Sequence, residues 1–169
     1  MYASHELSQA VRTRRTEMGL TQKALADLAG LSRSTVNEIE SGKIKDLSLS
    51  RTAALLEVLG LGLTIAPAHP RLKQRAVSTL PLETAARTAS VSYSQAMPAT
   101  VLGEALRSGQ VPASYAPHVG TLLEEAPVSM LAKAVEQIHA DLSVPRELVW
   151  KNMRSLASNL KVIRGIWNV

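Results

Sequence analysis

The sequence contains no cysteine and no phenylalanine. Without cysteine there is no disulfide framework, no thiolate metal site and no cysteine nucleophile, and the chain suits a reducing compartment. Aromatics make up 3% of the 169 residues, so Leu, Ala, Val and Ile must build the core, a composition that favours closely packed helices. No run approaches the roughly 18 uninterrupted apolar residues of a membrane helix. The first residues also lack an apolar signal core, so a soluble, cytoplasmic protein with no membrane partner is expected. Neither disorder nor a collagen-like chain fits 46% hydrophobic and 20% charged residues.

Support for catalysis is also missing. His5, His69, His118 and His139 show no metal-ligand spacing, and His5-Glu6 lacks the second His of a zinc protease helix. There is no Gly-rich phosphate loop. No catalytic residue, metal ligand or cofactor is assigned, and the chain is read as a non-enzyme. The net charge of +5 suits a nucleic-acid partner, but residues 1–66 carry net +1 and residues 67–169 net +4. DNA contact by the first part must therefore rest on where its charges lie.

What is present is a succession of short helices. The apolar spacing predicts helices over residues 5–18, 22–29 and 33–40, and a fourth opened by Ser48 and stopped by Gly60. Thr21 and Ser32 are the expected N-caps of the second and third. Leu25, Leu28, Val36 and Ile39 face inward. Arg12, Arg14 and Arg15 read as a solvated face, with Arg14 or Arg15 able to reach phosphate. Residues 61–66 alternate Leu61, Leu63 and Ile65 against Gly62 and Thr64, the period of a half-buried strand. A lone strand needs a partner, either a second subunit or this chain's own helices.

Residues 67–80 read as a basic linker bracketed by prolines. Beyond it, residues 81–169 are again helical in pattern, with helices expected over 82–90, 99–107, a broken stretch 113–125, 128–142 and 146–166. Leu131, Val135, Ile138 and Leu142 form one apolar stripe. Pro127 and Pro145 are expected in first turns.

The informative unit is residues 22–41, two helices joined by a short turn. Small Ala26 marks the crossing, Gly30 serves a turn that needs positive φ, and Val36 and Ile39 lock the second helix on the first. Leu20-Thr-Gln-Lys-Ala-Leu-Ala26 and Ser34-Thr-Val-Asn-Glu-Ile-Glu-Ser-Gly42 resemble the Cro/C1 (Xre) family of helix-turn-helix DNA-binding domains. The resemblance covers about residues 5–66. The trailing strand looks most like HipB-type antitoxins, which implies that Leu61, Leu63 and Ile65 pair with their counterparts in a homodimer. The self-cleaving domain of some family members is β-rich, which the helical second part does not match.

The resulting expectation is an all-α protein: a lambda-repressor-like helix-turn-helix bundle with a short dimerisation strand (1–66), the linker (67–80) and a C-terminal helical domain (81–169). The third helix would enter the major groove of double-stranded DNA at a palindromic operator. Resemblance to the family implies Arg33, Ser34 and Asn37 as base readers, with Glu38 either a further reader or a surface ion-pair partner. Gln22 and Thr35 suit phosphate oxygens, Lys43 and Lys45 add charge beside the backbone, and Lys23 and Ser32 complete the expected DNA-contact set. Two functions compete for the second part: neutralising the cognate toxin of a toxin-antitoxin pair, or sensing an effector or driving oligomerisation in a free-standing Xre-type regulator. A bundle that only stabilises the dimer stands beside them. Trp150 and Trp167 are the side chains to watch, as core or as anchors.

Overall fold

The computed structural model describes residues 2–64 and 80–168, with side chains from residue 5 onward. These residues form nine α-helices: α1 Tyr2–Glu17, α2 Gln22–Ala29, α3 Arg33–Glu40, α4 Leu49–Val58, α5 Pro81–Ala89, α6 Ala99–Ser108, α7 Ala116–Glu125, α8 Val128–Leu142 and α9 Arg146–Asn159. The expected all-α class is observed. No helix among the described residues is long and apolar enough to cross a membrane.

The two parts of the chain start their helices differently. In the first, hydroxyls cap the orphan N–H groups: Thr21 Oγ1 accepts from Ala24 N at 3.0 Å and Ser32 Oγ from Thr35 N at 3.1 Å. In the second, proline sets the entry. Pro81 and Pro117 lie in the first turns of α5 and α7, and Pro98, Pro127 and Pro145 immediately precede α6, α8 and α9, with no side-chain cap. A fixed φ near −60° pre-organises the turn there without needing a hydroxyl. Pro127 and Pro145 thus sit one residue before the first turn.

Helices α1–α4 close around Val11, Leu25, Val36, Ile39, Leu55 and Leu59, all fully buried, and Ala26 is the small residue where α2 meets α3. Burying each of the larger side chains contributes about 1.5 to 3 kcal/mol. Helices α5–α9 build their centre from Leu102, Leu122, Leu131, Val135, Trp150 and Met153. Leu142, expected on the α8 stripe, is exposed instead, at the end of the helix where no neighbour covers it. The buried residues of both parts belong to one continuous core.

Two elements depart from the sequence expectation. Residues 61–64 form no strand: Leu61 packs partly on the core, Leu63 is exposed, and a single chain offers no ladder partner among the described residues. Ile65, and the linker residues 67–79, lie outside the described residues. Helix α9 stops at Asn159, not near residue 166. Lys161 takes φ +57° and Val162 N donates to Ala157 O at 2.9 Å. The chain then doubles back, so that Ile166 and Trp167, in the short 3-10 turn Gly165–Trp167, are buried and Trp167 Nε1 donates to Leu123 O at 3.0 Å. A straight helix would have carried both side chains past the end of the bundle.

The two parts touch. Arg154 of α9 donates to the carbonyl of Met18 just past α1. Arg14 of α1 pairs with Glu136 of α8 at 3.2 Å, and Arg146 of α9 pairs with the same carboxylate at 2.8 Å. The turn after α4 presses on the start of α8, where a Cβ on Gly60 would lie 2.9 Å from Val128 O.

Candidate nucleic-acid interface

Helix α3 is built to present one face. Val36 and Ile39 are fully buried under it, Ser32 caps its start, and the Lys43 and Ile44 N–H groups both donate to Glu38 O, at 2.9 and 3.2 Å, to fold the following loop back on its end. Its axis is fixed by packing, while Arg33, Ser34, Asn37 and Glu38 stand exposed together on the outer side. Gly30, at φ +65° with open space around its Cβ direction, gives the left-handed turn that swings the chain from α2 to α3.

The other expected contact residues are less equal. Ser32 Oγ lies 2.7 Å from Ser34 Oγ and 2.8 Å from Thr35 Oγ1, so a hydroxyl cluster sits at the start of α3. Thr35 is half-buried. Lys23 is exposed but ion-paired with Asp27 of its own helix at 2.9 Å. Lys43 and Lys45 are exposed on the loop leaving α3. Gln22 is half-buried, and its Nε2 donates to Glu40 Oε2 at 2.9 Å, so its amide ties α2 to the end of α3.

Glu40 was not anticipated. Its side chain is 5% exposed and receives Arg15 Nε at 2.5 Å and Arg15 Nη2 at 3.0 Å, while Arg15 Nη1 holds Leu20 O at 2.8 Å. Burial alone would push the Glu40 carboxyl up. The hydrogen bonds from Arg15 and Gln22, with the charges of Arg15 and Arg12, outweigh it and hold the group below the usual carboxylate range. Arg14 and Arg15 are therefore not a solvated face: both are mostly covered and committed to ion pairs, and of the three arginines Arg12 alone is exposed. Both lie three or four residues after buried Val11, and that spacing carried the signal.

The basic character of the last segment is likewise used internally. Arg146 pairs with Glu136, Arg154 holds Met18 O, and Arg164 donates to Ala126 O at 2.7 Å, which leaves Lys151 and Lys161 as its exposed cations. Trp150 and Trp167 are buried with ring centroids 6.4 Å apart, which makes them core. His118 is buried against Tyr93, and His139 Nδ1 lies 2.8 Å from Val144 O. No cluster of three metal-ligating side chains occurs among the described residues.

Residues 11–65 match the helix-turn-helix family model. The match supports an Xre-family helix-turn-helix and a DNA-binding transcription regulator, and it ends before the second part of the chain. No curated protein and no solved structure matches the chain.

Proposed function

We propose that this helix-turn-helix protein is a sequence-specific repressor that binds a palindromic operator as a homodimer, reading bases with Arg33, Ser34 and Asn37. The observation that carries this reading is the outer face of α3, where these side chains stand exposed on a helix clamped from beneath by Val36 and Ile39. Arg33 matches guanine O6 and N7, Asn37 matches adenine, and Glu38 can accept from cytosine N4. Gln22, Lys23, Ser32, Thr35, Lys43 and Lys45 flank that face as phosphate contacts. Leu63, a large apolar side chain left exposed after α4, supports residues 61–65 as the dimer contact.

The second part is proposed to bind a cognate toxin, which extends the HipB-type resemblance of residues 5–66 beyond the residues that carry it. The test is co-expression with the product of the adjacent gene. Co-purification, together with relief of that product's growth arrest, supports the antitoxin role; a neighbour that neither binds nor arrests growth removes it. A second reading, regulation by a small effector, is favoured by the direct packing of α1 and α4 on α9 and α8, through which occupancy of the second part would be felt by the DNA reader.

A further inference from the structure

Between the two parts lies a cleft of about 470 Å³, within the size range of small-molecule sites. Leu28 of α2 and Val58 of α4 form one wall, and the start of α8 with Arg164 and Ile166 forms the other. Glycines hold the walls in contact at its edges. A Cβ on Gly60 would meet Val128 O at 2.9 Å, and one on Gly165 would meet Leu28 Cδ2 at 3.1 Å, so the walls come this close at the edges because both residues lack a side chain.

One cation lines this mostly apolar space. Arg164 is half-buried, and its Nη1 donates to Leu123 O and Ala126 O. No carboxylate pairs with it among the described residues. Burial, with nothing opposing it, lowers its pKa from the ordinary arginine value. A partly desolvated guanidinium without a counter-ion is satisfied by an anion that brings its own charge. Glu57, exposed at the rim, disfavours a dianion such as a phosphate monoester.

We propose that this cleft binds a small apolar monocarboxylate, its carboxylate on the Arg164 guanidinium and its hydrocarbon body against Leu28, Val58 and Ile166. Such a ligand touches α2 and α4 on one side and α8 on the other. Its effect on DNA affinity rests on the DNA-binding reading above; its binding does not.

The test is calorimetric titration of the full chain with octanoate and with octanamide, a neutral ligand of the same shape. Octanoate should bind at least about tenfold more tightly than the amide, the expected worth of a charge-assisted pair. Arg164→Gln should abolish that difference. Because Arg164 also holds the end of α7, a second variant, Ala54→Trp, blocks the cleft from an exposed position and should remove octanoate binding with an unchanged helical spectrum. No binding of octanoate, equal binding of acid and amide, or undiminished binding in Ala54→Trp would overturn the proposal. A gel shift with and without octanoate then reads the link to DNA separately, so failure of the DNA reading leaves the titration result standing.

Discussion

Arg15 on α1 and Glu40 at the end of α3 are joined by two hydrogen bonds, 2.5 and 3.0 Å long, and Gln22 at the start of α2 adds a third to the same carboxylate. One side chain thereby ties three helices of the helix-turn-helix bundle behind the exposed face of α3. Glu40→Gln should cost about 1 to 3 kcal/mol near neutral pH, the range for a hydrogen-bonded charged group. The folded-state pKa of Glu40 is depressed below 4.5. Its contribution is therefore present above that value and lost as pH falls through the folded pKa. Urea unfolding of the parent and of Glu40→Gln should show a stability gap that is full at neutral pH and closes in acid; a gap that persists in acid means that the carboxylate's charge is not what holds these helices.

Both tryptophans lie in the second part, while helix content is spread over both. With one core running through the molecule and Arg154 clasping Met18 O, the two parts should unfold together. Denaturation followed by tryptophan fluorescence and by far-UV circular dichroism should give coincident transitions. A helical signal lost well before the fluorescence change would instead mean that α1–α4 come apart independently of α5–α9.

Arg33→Ala and Lys43→Ala should fail in different ways. The first should cost about 1 to 3 kcal/mol per half-site and relax preference at one base position. The second should weaken all sequences alike and reduce the salt slope by about one unit. Binding titrations on operator and random DNA at several salt concentrations separate them, and an equal loss on both DNAs for Arg33→Ala would make Arg33 a phosphate contact.

Leu63 is 56% exposed in the single chain, so a charge there should leave the fold intact. Leu63→Asp is expected to shift sedimentation from dimer to monomer and to weaken operator binding. A variant that still sediments as a dimer would place the dimer contact elsewhere.

The reading bundle was legible in the sequence because its signals are local. Thr21, Ser32 and Gly30 announce caps and turns within a few residues, and the bounds of α2 and α3 follow from them directly. The set Arg33, Ser34, Asn37 and Glu38 is what the family resemblance implies, and with Val36 and Ile39 inside all four stand exposed. Tertiary pairing was not legible. Glu40 gains its meaning from Arg15, 25 positions away, and Arg14 from Glu136, 122 positions away. The end of α9 was hidden for the same reason: Lys161 adopts positive φ although it is not glycine, because the chain must return to bury Trp167 on α7. The alternation of residues 61–66 reads as a strand, but a strand exists only with a ladder partner, which the described residues of one chain do not supply.

The central claim is that the exposed face of α3 reads sequence in a twofold assembly. The most direct test is selection of bound sequences from a random duplex pool by the full chain. The account predicts enrichment of one inverted repeat whose half-sites are centred about 10 base pairs apart, or a multiple of that. A pool that stays random after selection, or an enriched site without twofold symmetry, would contradict it.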